Sequence, residues 1–258
     1  MLFFSGLVPH YIAGHPFEGI GSIAFGLFFL VHYALLARFE SAWLLRTFLH
    51  AAGMLVAVLV LSRELQYATA QLAGTGTLSF CAFGVLAMAL LVIIAKAGER
   101  LPALIRRNRF AYVLPGGIGL AAIVGFWELN GMARDGAVSF FPYIPFLAPL
   151  DLLQAAGMGA VILWLRHVSV TPSGRPDVSA GWVAGGLLFV YATVILGRAV
   201  HFYGGVDYTV FALRASLLYQ ALLSILWSVM GIAAMLLGIH FVGAYVAIPL
   251  FLDRKSVV

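Results

Sequence analysis

Long uncharged apolar runs alternate with short polar turns along this chain, and the run from Thr77 to Ala95 shows the pattern most clearly. It reads TLSFCAFGVLAMALLVIIA and meets its first charge at Lys96. A helix of about twenty apolar residues rises about 30 Å, the thickness of a bilayer hydrocarbon core. This segment is therefore predicted to span a membrane. The same reading places helices over about Gly19 to Ala37, Trp43 to Leu61, Phe110 to Leu129, Leu150 to Leu165, Ala180 to Val200 and Ser216 to Leu237. The second of these is expected to end before Arg63 and Glu64. A final apolar stretch, Ile239 to Leu252, is short for a span and reads as a truncated eighth helix. The predicted fold class is all-α, a polytopic transmembrane helix bundle of seven to eight spans.

Two interruptions refine this picture. Pro115, Gly116 and Gly117 fall near the start of the fourth helix and predict a kink there. Between the fourth and fifth helices, Asn130 to Pro149 interleaves Pro142, Pro145 and Pro149 with Phe140, Phe141, Tyr143 and Phe146. Prolines at that density prevent a helix, and aromatics suit a headgroup interface. The loop is expected to lie on the membrane surface.

Composition agrees with the pattern. Hydrophobic residues make up 63% of the chain and charged ones 10%, against about a quarter charged in soluble domains. Lipid is the expected solvent, and residues 1–252 read as a single transmembrane domain. The net charge of +5 sits in short turns rather than on one amphipathic face, which argues against nucleic acid as a partner. A lone cysteine, Cys81, excludes an intrachain disulfide and a Cys-based zinc site and reads as a small core residue. Met1 to Ala13 lacks the features of a cleavable signal and reads as the end of an earlier helix. The last six residues, Asp253 to Val258, match the translation of a common sequencing adapter and are expected to be a non-native tail.

Charge also sets orientation, because short loops rich in Lys and Arg stay on the cytoplasmic side. Lys96, Arg100, Arg106, Arg107 and Arg109 crowd the turn after the third helix and are the topology-setting residues. With that turn inside, Arg38, Arg46, Arg166 and Arg175 join them, giving nine inner cations against four outer ones, Arg63, Arg134, Arg198 and Arg214. Ser22 and Gly26, Ala121 and Gly125, Ala155 and Gly159, Gly181 and Gly185, and Ala234 and Gly238 recur at the four-residue spacing that lets helices approach closely in lipid.

The usual catalytic strings, phosphate-binding loops and metal motifs are absent from the sequence, so no catalytic residue, metal or cofactor is assigned. The remaining signal is polar residues within the spans, where ionisable groups are costly and face a bundle interior or a wet cavity. Glu64, Glu128, Asp151 and Arg198 fall at helix ends on the outer side, Gln154 and Gln220 about one turn deeper, with His15, Glu18, His201 and Asp207 in flanking loops. One reading makes Glu64, Glu128, Asp151, Gln154, Arg198, His201 and Gln220 the lining of an outward-facing polar pocket, with Arg198 balancing Glu64 or Glu128. The other makes them ordinary interfacial residues, Asp151 being stabilised by the positive end of its helix. His32 and His50 fall at similar depth on neighbouring helices. They form either an intramembrane pair or separate interhelical hydrogen bonds.

Several ordered strings resemble a known family. HPFEGIGSIAFGLFFLVHYALL, FLHAAGMLVAVLVLSREL, YIPFLAPLDLLQA, GRAVHFYGG and SLLYQALLSILWS are similar, in that order, to the C-terminal part of a bacterial family of predicted multispan membrane proteins, the domain-of-unknown-function family 2339. The resemblance covers most of residues 15–238 and includes His15, Pro16, His50, Glu64, Asp151, Arg198, His201 and Trp227. It implies a fragment of a longer protein of the bacterial cytoplasmic membrane. It supplies no catalytic residues. The lipid bilayer is the expected partner, with other membrane proteins as further candidates. The leading functional expectation is a non-enzymatic cell-envelope scaffold or assembly factor. The alternative is a transporter or flippase-like carrier using the outer pocket, and a membrane-embedded transferase comes third.

The orientation is testable with fusions: a periplasm-active reporter is expected to be inactive after Arg107 and active after Asp135. The opposite pair of results would invert the topology.

Overall fold

The computed structural model describes residues 14–38, 43–96, 106–169 and 178–253. The helices in chain order are α1 (Gly21–Arg38), α2 (Trp43–Ala73), α3 (Thr77–Lys96), α4 (Arg109–Met132), α5 (Pro149–Val168), α6 (Val178–Gly204), the short α7 (Val210–Ala215) and α8 (Leu217–Asp253). Among the described residues the sole extended pairing is an isolated bridge, Val138 with Phe141. The fold is all-α. Six helices, α1, α2, α3, α4, α6 and α8, are long and apolar enough to cross a membrane. α5 has the same 20-residue length as α3 but carries Asp151, Gln154 and Arg166, which lower its apolarity. It is the seventh helix of span length.

Two boundaries differ from those expected. Ile239 to Leu252 does not form a separate eighth helix, because α8 runs unbroken for 37 residues from Leu217 to Asp253. Gly238 alone weakens a helix by about 1 kcal/mol relative to alanine and does not stop it. α2 continues past Leu61 to Ala73, so Arg63 and Glu64 lie inside it. Charge does not stop a helix, and this one ends only at Gly74, whose φ of 81° suits glycine and whose N–H bonds the Ala70 carbonyl at 2.9 Å.

The chain forms two compact units, Met1–Leu188 and Phe189–Val258. In the first, α3 is the hub. It packs against α2, α4 and α5, and Leu91 on α3, Leu120 and Val124 on α4 and Leu150 on α5 are completely buried. α2 and α3 form a hairpin through Gly74–Gly76, and α4 and α5 form another through residues 133–148. The Trp127 indole N–H donates to the Phe80 carbonyl at 2.8 Å with the two rings stacked 5.2 Å apart, which holds the end of α4 beside the start of α3. In the second unit α7 packs on α8. The Trp227 N–H there donates to Thr193 Oγ1 at 3.2 Å, joining α8 to α6.

The interruption around Pro115 is a π-helical turn, Tyr112–Gly116. It has a definite cost. The Gly117 N–H turns to the Leu114 carbonyl, so Val113 loses the donor that a regular helix would give it. In hydrocarbon such a carbonyl must find another partner within the protein. The Trp164 indole on α5 supplies it, donating to Val113 O at 2.8 Å. Gly117 makes the approach possible, since a Cβ there would collide with the indole.

This arrangement predicts an order of effects in reversible unfolding from mixed micelles. Trp164→Phe keeps most of the packing and loses one hydrogen bond, costing about 1 kcal/mol. Gly117→Val forces the ring out and costs about 1–3 kcal/mol. Equal stability of Trp164→Phe and the wild type would remove the role assigned to the indole.

Candidate functional site

The hairpins bring the end of α2, the start of α3, the end of α4 and the start of α5 to one end of the first unit. By the orientation expected from the sequence this is the outer end. Glu64, Glu128, Asp151 and Gln154 all belong to it, and each is held by its own local arrangement.

Asp151 is fully buried in the first turn of α5. Its Oδ2 accepts the Tyr143 hydroxyl at 3.0 Å and the Phe146 backbone N–H at 3.2 Å. Phe146 sits at φ 67°, a conformation that costs a non-glycine residue on the order of 1–3 kcal/mol. The carboxylate helps to hold that turn in place. It also lies at the positive end of the α5 dipole, which favours a negative charge. The loop is fastened a second time by Thr77 Oγ1, which donates to the Ala137 carbonyl at 2.5 Å. The Arg134 guanidinium stands 4.2 Å over the Phe80 ring. The proline-rich loop thus closes this end of the bundle through buried Tyr143 while Phe140 and Phe146 stay exposed.

Glu128 is buried on α4. Side chains lean towards the start of their own helix, so its carboxyl reaches deeper than its backbone. A Cβ at Gly157 on α5 would collide with Glu128 Oε1 and crowd Met88 of α3 and Val124 of α4. The absence of a side chain at Gly157 thus makes space for this carboxyl. Gln154, one turn below Asp151, donates Nε2 to the Glu128 backbone carbonyl at 3.3 Å.

Glu64 on α2 receives the turn that precedes α1. His15 Nδ1 lies 2.9 Å from both carboxylate oxygens, and the Phe17 backbone N–H donates to Oε1. The His15 ring stacks on Tyr67 at 3.9 Å, and Arg63 reaches the Gly14 carbonyl at 3.5 Å. Glu18, in the same turn, is exposed.

Arg198, His201 and Gln220 belong to the second unit. Arg198 is completely buried. His201 Nδ1 donates to the Val206 carbonyl at 2.7 Å, and Gln220 Nε2 donates to the Arg214 carbonyl at 2.6 Å.

His32 and His50 bond to different partners. His32 Nε2 donates to the Leu49 carbonyl at 3.2 Å, linking α1 to α2. His50 Nδ1 lies 2.9 Å from the hydroxyl of Tyr112, which opens the π-turn of α4. The Tyr33 ring lies 6.3 Å from the His50 ring. Of the topology-setting cations, Lys96 ends α3, Arg106 and Arg107 precede α4 and Arg109 opens it. Arg100 lies outside the described residues. Among the described residues no cluster of three or more His, Cys, Asp or Glu side chains is placed to hold a metal ion.

Sequence reasoning missed Tyr143, Tyr112 and Trp164 as the partners of these groups. Pro115 next to two glycines was a signal for the freed carbonyl, but nothing in the sequence pointed to the indole that takes it.

Long apolar helices packed around α3 with polar side chains turned inwards define an integral membrane protein of the multi-pass α-helical class. Within that class the chain belongs to the family described as Predicted membrane protein (DUF2339), which matches residues 2–247. No curated protein and no solved structure matches it.

The Asp151 clasp predicts a non-additive mutant pair. Tyr143→Phe leaves a buried carboxylate short of a donor and costs about 1–3 kcal/mol. In the Asp151→Asn background the same change should cost less, because the two residues act as one unit. Identical costs in both backgrounds, read from unfolding midpoints, would separate the residues energetically.

Proposed function

We propose that the protein is a non-enzymatic structural component of the bacterial cytoplasmic membrane, a scaffold or assembly factor of the cell envelope whose partners are the bilayer and other membrane proteins. One observation carries the reading: in the first unit two of the carboxylates, Asp151 and Glu64, are already engaged in holding the fold. Asp151 binds Tyr143 and the Phe146 amide, and Glu64 binds His15 and the Phe17 amide. A transferase would need carboxylates converging on one reacting point. These two instead fasten two different loops to two different helices. The closely packed interior around α3 suits a rigid framework.

A second reading, a transporter or flippase-like carrier, draws on Glu128. Its carboxyl lies among Met88, Val124 and Gly157 inside the bundle, and ionisable groups at such depth frequently mark substrate or proton paths.

Glu128→Gln separates the two, because it keeps the shape of the side chain and removes its ability to ionise. In a strain lacking its own copy, the variant accumulating at wild-type level is expected to restore the deletion phenotype fully. A stable, membrane-inserted Glu128→Gln protein that fails to restore it would favour the carrier.

A further inference from the structure

We propose that the inner end of the α4–α5 pair is a binding site for an anionic phospholipid, its phosphate held by Arg106, Arg109 and Arg166 and its acyl chains lying along α4. The site lies at the opposite end of the first unit from the loop clasped by Asp151 and is independent of the function proposed above.

Two contacts build it. The Trp164–Val113 hydrogen bond joins α5 to α4 one turn in from this end of the pair. Beyond it, Arg109 Nη2 lies 3.4 Å from His167 Nε2. With the histidine nitrogen as acceptor, this contact orients a guanidinium that would otherwise be loose, leaving its other N–H groups for an anion. Arg106, Arg109 and Arg166 are all exposed. A planar guanidinium presents paired donors that match phosphate oxygens.

The sequence of this turn is strongly basic. The segment from Lys96 to Arg109 carries five basic residues and one acid, Glu99. The described acidic residues of the first unit, Glu18, Glu64, Glu128, Asp135 and Asp151, all belong to the other end of the bundle. Directly below the arginines, Phe110, Leu114 and Ile118 of α4 are 50%, 38% and 54% exposed, and Leu163 of α5 is 36% exposed. Cations above an exposed apolar strip match a phospholipid, headgroup above chains. Basic sites between transmembrane helices on the cytoplasmic side are the recognised setting for anionic headgroups.

The test uses the full chain in mixed micelles, titrated separately with phosphatidylglycerol, phosphatidylcholine and inorganic phosphate, with bound lipid counted by native mass spectrometry. Phosphatidylglycerol is expected to bind at least tenfold more tightly than phosphatidylcholine, and inorganic phosphate is expected not to displace it at equal concentration. Each of Arg106→Gln, Arg109→Gln and Arg166→Gln should weaken binding about fivefold. His167→Ala retains these three arginines and the other basic residues of the turn, so it guards against misinsertion of the arginine variants. It should still weaken binding severalfold by releasing Arg109. Equal retention of both lipids by the wild type would overturn the site. So would displacement by inorganic phosphate, or unchanged affinity in both His167→Ala and correctly inserted Arg109→Gln.

Discussion

Hydrocarbon offers no hydrogen bonds, so any polar group carried into it must be answered from within the protein. Several features of the first unit follow from that constraint. The π-turn of α4 frees the Val113 carbonyl, and a tryptophan on the neighbouring helix answers it. The buried Asp151 carboxylate is answered by a tyrosine and a backbone amide from the loop before it. His50, buried on α2, meets the hydroxyl of Tyr112. Each answer comes from a different element, and each therefore fixes the position of one element against another. Apolar contacts with α3 draw the helices together, and the polar pairs specify how they meet.

The two ends of the first unit use this rule differently. At the end assigned to the outside, acidic side chains accept hydrogen bonds from loop residues, so the loops become fastened covers. At the other end, basic side chains remain exposed beside an apolar strip, where anionic lipid can answer them.

The spans were legible because hydropathy reports directly on the surrounding solvent, and the family resemblance rested on the same segments. Helix ends were less legible. Arg63 and Glu64 looked like the close of a helix, yet charge is compatible with helical backbone and α2 stops only where Gly74 adopts a left-handed conformation. The reverse error occurred at Gly238, which looked like a break and is not one. For the polar set, residue type and depth were readable and partners were not. Tyr143 lies eight residues before Asp151 in a loop that reads as interfacial, and only its fold-back buries it. For His32 and His50, rise along a helix gave depth, but their hydrogen-bond partners, Leu49 and Tyr112, depend on the direction around each helix and were not readable.

The central claim is that one face of α3, the face that carries Leu91 and Cys81, is buried against α2, α4 and α5, and the chain carries its own reporter. Cys81, the one cysteine, sits on α3 and is 3% exposed. In native membranes it should resist the membrane-permeant N-ethylmaleimide for as long as the protein stays folded and react fully once sodium dodecyl sulfate unfolds it. Labelling in intact membranes at the rate of an exposed thiol would show that face of α3 uncovered and contradict the account.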